Sequence, residues 1–168
     1  MITTYIGVGS NIDRRKHVEA AVAELSALGT VRLSTIYQCE SVGFAGQPFY
    51  NLVVELCTEL AMEELHSTLR DIELRWGRAA DARKFQDRTL DLDLILYGEQ
   101  TNPQAPQLPR PDIYKYAFVI QPLFELCPQL VVPGDGRTIQ EIKTGFSQPE
   151  PLEPVPLWFD VSHAVRLP

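Results

Sequence analysis

The stretch RTLDLDLILYG (Arg88 to Gly98) restricts the fold more than any other part of the chain. Side chains of a strand alternate between its two faces. Leu90, Leu92, Leu94 and Leu96 therefore share one face, and Asp91, Asp93, Ile95 and Tyr97 share the other. The leucines need a layer of helices over them. The carboxylates need a side that a ligand or solvent reaches. The segment thus predicts a sheet covered on one face and accessible on the other.

The rest of the chain supplies that architecture. Ile2 to Val8 is rich in β-formers and predicts a first strand, ended by GVGSN (Gly7 to Asn11). Val18, Ala21, Val22, Leu25 and Leu28 recur at helical spacing, which predicts a helix over 13–28 ended by Gly29. Val31 to Tyr37 predicts a second strand and Asn51 to Leu60 a third, with the loop Gln38–Pro48 between them. Leu65, Leu69, Ile72 and Trp76 predict a second helix over 62–76, and a charged loop, Gly77–Asp87, precedes the fourth strand. The order βαββαβ predicts an α+β fold, a ferredoxin-like sandwich of a four-stranded antiparallel sheet with both helices on one face. C-terminal additions follow, with short helices near Gln121–Leu126 and Ile139–Lys143. Residues 1–145 are expected to form one domain. Residues 146–168 carry prolines at 149, 151, 154 and 156 and are expected to form an extended arm that docks through Trp158 and Phe159.

Composition narrows the function. A net charge of −7 argues against a nucleic-acid partner, and no apolar run reaches the ~20 residues that cross a bilayer. The N-terminus lacks the charge order of a secretory signal. Cys39, Cys57 and Cys127 are scattered, which suggests neither a disulfide framework nor a zinc site and fits a reducing cytoplasm. The acidity is uneven. Arg70 to Arg88 holds six basic and four acidic residues, net +2, while the remainder is −9. This window suits either a bound anion or a solvated helix end and loop. The Asp91/Asp93 pair, roughly 6–7 Å apart along the strand, suits either an exposed acidic face or a site for divalent cations. Hard oxygen donors favour magnesium bridged to phosphate oxygens. Carboxylates beside arginines point to phosphoryl or nucleotidyl transfer, and no Walker loop is present.

IELRWGR (Ile72 to Arg78) followed by RTLDLDLILYG resembles the 6-hydroxymethyl-7,8-dihydropterin pyrophosphokinases of folate synthesis. YIGVGSN (Tyr5 to Asn11), GQPFYN (Gly46 to Asn51), LPRPD (Leu108 to Asp112) and FVIQPLFELCPQLVVP (Phe118 to Pro133) follow in family order, and the likeness spans about residues 1 to 143. It implies transfer of the β,γ-pyrophosphate of ATP to the pterin hydroxymethyl group, with AMP leaving and two Mg2+ ions on the phosphates. Asp91 and Asp93 would ligate the metal. Arg88 would contact the phosphates, and Glu73, Arg78, Lys84 and Arg110 would serve the ATP side. Asn51 would bond the pterin edge, with Phe118 on one ring face and Phe49 or Tyr50 on the other. Phe85 would cover the pterin, and backbone groups near Cys39, Ser41 and Val42 would read its remaining polar atoms. The partners implied are these two small molecules, with the protein a monomer or weak homodimer. Three positions depart from the family pattern: Ala80 and Tyr116 replace arginines, and Arg110 replaces a histidine. The alternative is a divergent relative that binds pterin or nucleotide with weak or no transfer.

Overall fold

The computed structural model describes residues 1–41, 46–77, 89–146, 151–161 and 164–166, the last three by backbone alone. A mixed sheet runs in the order β5-β1-β4-β2-β7, with β3 on β4 and β6 on β3. Its strands are β1 (Ile2–Ser10), β2 (Gly29–Leu33), β3 (Ile36–Cys39), β4 (Phe49–Thr58), β5 (Asp91–Tyr97), β6 (Glu153–Val155) and β7 (Ala164–Arg166). All pairings are antiparallel except that of β2 with β7. Among the described residues the sheet therefore has seven strands rather than the expected four. Two of the extra three, β6 and β7, come from the C-terminal end, where Pro154 hides β6 from pattern reading.

The third comes from a break in the expected second strand. β2 pairs with the C-terminal half of β4 and β3 with its N-terminal half. Between them the backbone leaves the ladder, because Thr35 N donates to Glu125 Oε1 at 2.8 Å instead. Tyr37 Oη donates to the other oxygen of the same carboxylate. Ser34 mends the gap from the other side: its N donates to Val53 O, and its Oγ accepts from Val53 N.

Two helix layers cover the sheet. α1 (Arg14–Ser26) and α2 (Met62–Arg75) lie on one face. Under them Val18, Val22, Leu25, Leu65, Leu69 and Ile72 close over Ile6, Leu52, Val54, Leu56, Leu92 and Leu94. Each fully buried leucine here contributes about 2 kcal/mol. α1 ends at Ser26 rather than at Gly29. Gly29 instead opens β2, where a Cβ would stand 1.9 Å from Cys57 O, so only glycine fits. β1 likewise runs on to Ser10 through both glycines of GVGSN instead of stopping at Val8.

α3 (Ala117–Leu126) and α4 (Ile139–Thr144) cover part of the opposite face, burying Tyr5, Val53, Ile95 and Leu96. That face is thus not left wholly open. The strict alternation expected of β5 also fails at its end. Tyr5 pairs with Leu96 and Ile6 with Leu94, so Ile95 is an extra residue, a β-bulge. The bulge turns Leu96 into the α3 side and Tyr97 into the α1/α2 side, where Tyr97 Oη donates to Leu60 O at 2.7 Å. Asp91 and Asp93 precede the bulge and keep the expected face. No helix among the described residues is long and apolar enough to cross a membrane.

Candidate active site

The uncovered end of the α3-side face forms a cleft of about 860 Å³. It runs from Asn51 on β4 across Gly9 on β1 to Asp91 and Asp93, then round the free edge of β5 to α2. Register explains the grouping. Asn51 pairs with Gly9, Gly9 with Asp91, and Gly7 with Asp93. The glycines are what make room. A Cβ on Gly9 would come within 2.9 Å of Asn51 Oδ1 and 3.6 Å of the Phe49 ring. Glycine in mid-strand, normally weakening, here lets polar groups stand close over the backbone.

β5 is held at its free edge by Glu73. This buried carboxylate accepts Leu92 N at 2.8 Å and lies 3.4 Å from Arg70 Nη1. It satisfies an outward N–H of the strand that carries the aspartates. Arg110 closes the other side. Its N donates to Ile95 O, its Nε donates to Asp112 Oδ2 at 3.0 Å, and its Nη2 lies 3.5 Å from Asp93 Oδ1.

A third of the Asp93 side chain is open to the cleft. Concave protein walls nonetheless displace its water, and Asp91 adds like-charge repulsion. Together they raise Asp93 well above the ordinary carboxylate range, although Arg110 works the other way. Burial alone would lower the Arg110 pKa, but Asp93 and Asp112 outweigh it and the guanidinium is held more firmly charged. The described walls carry seven carboxylates against three lysine or arginine side chains. Such a lining favours a cation, and two neighbouring carboxylates on one strand face suit a hard divalent one that keeps other positions for phosphate oxygens. The described residues contain no cluster of three His, Cys, Asp or Glu that would enclose a metal by protein alone.

The structure brings together Asn51, Phe49, Glu73, Asp91, Asp93, Arg110 and Phe118. Of Phe49 and Tyr50, Phe49 lines the cleft, while Tyr50 is buried in the core under α1. Cys39 lies on β3 opposite Phe49 with its side chain buried, and its neighbour Glu40 lines the cleft. Val42, Arg78, Ala80, Lys84, Phe85 and Arg88 lie outside the described residues. Tyr116 stacks on Phe118, ring centroids 4.9 Å apart and planes 17° apart, so the departure from arginine there extends an aromatic wall. Sequence reading missed Lys115, which lines the cleft next to Tyr116. A cation one place from the expected arginine was the available signal. It also missed His66, which lines the cleft from α2 together with Arg70 of the basic window.

Residues 5–128 match the family described as 7,8-dihydro-6-hydroxymethylpterin-pyrophosphokinase (HPPK). The chain is similar to proteins named 2-amino-4-hydroxy-6-hydroxymethyldihydropteridine pyrophosphokinase from several bacteria. The one from Pseudomonas aeruginosa is 40% identical over 145 residues, covering 82% of this chain and 88% of that protein. The one from Haemophilus influenzae is 36% identical over 153 residues, covering 88% and 94%. The one from Bacillus subtilis is 38% identical over 133 residues, covering 75% and 78%.

Proposed function

Since this chain belongs to the 7,8-dihydro-6-hydroxymethylpterin-pyrophosphokinase family, we propose that its cleft transfers pyrophosphate from ATP to 6-hydroxymethyl-7,8-dihydropterin in folate synthesis. The pterin hydroxymethyl oxygen attacks the β-phosphorus. The bond from that phosphorus to the α,β-bridging oxygen breaks, AMP leaves, and the hydroxyl proton passes to solvent. The observation that carries this reading is the cross-strand row Asn51–Gly9–Asp91, with Asp93 beside it. It sets a hydrogen-bonding group for a flat heterocycle at one end and a cation-seeking carboxylate pair at the other.

Asn51 bonds the pterin edge, and Phe118, backed by Tyr116, stacks on the ring with Phe49 across from it. Asp91 and Asp93 would hold the two magnesium ions, whose charge would offset that of the phosphates and make the β-phosphorus more electrophilic. Arg110 would offer its charge to phosphate oxygens, as would Arg78, Lys84 and Arg88, and Phe85 would serve the pterin. No general base is required of the protein. Placement of the hydroxyl in line with the β-phosphorus supplies most of the effect. The order β5-β1-β4-β2, with crossover helices α1 and α2, supports reading a ferredoxin-like core to which the later elements are added. The free cysteines support a cytoplasmic location. The covering of the β3 edge by the chain's own β6 supports a monomer.

The test is AMP formation from ATP and Mg2+ with and without the dihydropterin. AMP should appear only with the pterin, and Asp91→Ala should lower its rate at least ~100-fold with an unchanged far-UV spectrum. Pterin-independent AMP, or an unaffected Asp91→Ala, would refute the assignment. Nothing in the geometry favours a binder without transfer.

A further inference from the structure

Residues 151–161 lie beyond the span that matches the family, yet they join the sheet in register with the cleft. β6 pairs Pro154 with Tyr37, and Tyr37 pairs with Asn51. The row that ends in Asn51–Gly9–Asp91 therefore begins at Pro154 in the arm. Without β6, the four-residue β3 would be an edge strand at the end of β4.

The arm then crosses to the α1 side and grips the residue between the two cleft-facing ones. Trp158 packs on Tyr50, ring centroids 5.7 Å apart, and against Phe159 at 5.2 Å. Arg14 covers the Tyr50 ring at 4.0 Å and donates to Gln38 Oε1 and to Pro48 O, both at 3.1 Å. Gln38 Nε2 in turn donates to Glu153 Oε2 at 3.3 Å. Tyr50 is thus packed by Trp158 and Arg14, while Phe49 and Asn51 on either side of it face the cleft. Neighbouring residues of a strand move together, so fixing Tyr50 fixes both. Arg15 lies 5.0 Å from the Trp158 ring. The indole N–H of Trp158 is buried without an acceptor, so the ring serves by its shape rather than by a hydrogen bond.

We propose that the arm is a positioning element for the pterin end of the cleft, with Trp158 as its anchor. It acts through Tyr50 to set Phe49 and Asn51, and it leaves the nucleotide end untouched. This rests on the pterin reading above.

Calorimetry on the full chain tests it, with α,β-methylene-ATP and Mg2+ as first ligand and 6-hydroxymethyl-7,8-dihydropterin as second. Trp158→Ala should weaken pterin binding about tenfold, near 1.4 kcal/mol, while the nucleotide analogue binds within about twofold of the unsubstituted chain. Trp158→Phe keeps the ring, drops the unpaired donor and should bind pterin nearly normally. Should Trp158→Ala fail to fold, the exposed Arg15→Ala should give a smaller loss of the same selectivity. Unchanged pterin affinity, or equal loss for both ligands, would overturn the proposal. If the unsubstituted chain binds the analogue but not the pterin, the functional reading fails instead. Amide exchange then decides the arm's role: faster exchange at 36–39 and 49–51 in Trp158→Ala upholds it, and unchanged protection overturns it.

Discussion

An aspartate that holds its proton more tightly in the folded chain than in the unfolded one opposes folding whenever it is ionised. Asp93 is such a residue, raised by its surroundings and by Asp91. Below the ordinary carboxylate pKa, about 4, it is protonated in both states and has no effect. As pH rises from there towards the folded-state value, the unfolded chain loses its proton first and the fold loses stability. Asp93→Asn should therefore melt higher than the unsubstituted chain at pH 7, with the gain vanishing near pH 3. Thermal melts across that range, without metal, check it. A variant less stable at neutral pH would mean that the Arg110 contact outweighs the repulsion.

At the scale of elements, Glu125 of α3 shows how distant residues shape local structure. Its carboxylate takes Thr35 N and Tyr37 Oη together and thereby divides β2 from β3. Burial, then the bond to Glu125, push the Tyr37 hydroxyl up to about 12, so it stays a donor through neutral pH. Glu125→Ala should cost about 2 kcal/mol, because it orphans one part-buried N–H and one hydroxyl. Urea denaturation should register this as a lower midpoint at constant slope; a midpoint unchanged within error would contradict it. The same element marks the limit of pattern reading. Alternation in β5 and helical periods in α1 and α2 are local, so their type and face are legible in the residues. The break at Ser34 depends on a partner 90 residues away, and the bulge at Ile95 on pairing with β1. Neither leaves a local signature. The shared face of Asp91 and Asp93 was legible from alternation, whereas Asn51 and Phe118, which line the same cleft, entered only through the resemblance. The roles of Gly7 and Gly9 as cleared floor were not, since glycine after a strand reads as its end.

Across the whole molecule, one sheet separates two cores, and its strands belong to both. Val53 and Val54 are neighbours on β4 that face opposite layers. Neither layer can be lost without exposing the other's floor, so unfolding should be a single transition. Tryptophan fluorescence (Trp76 at the C-terminal end of α2, Trp158 in the arm) and far-UV ellipticity should give coincident urea curves; separated midpoints would show a layer, or the arm, melting alone. The sheet also joins the two ends of the cleft, as it must if a pterin hydroxyl is to meet a nucleotide phosphorus. That meeting is tested most directly by 31P NMR of the reaction of ATP, Mg2+ and 6-hydroxymethyl-7,8-dihydropterin. The account predicts a pterin product with two coupled phosphorus resonances and AMP in equal amount. Formation of ADP with a singly phosphorylated pterin, or of inorganic phosphate with the pterin unchanged, would contradict it.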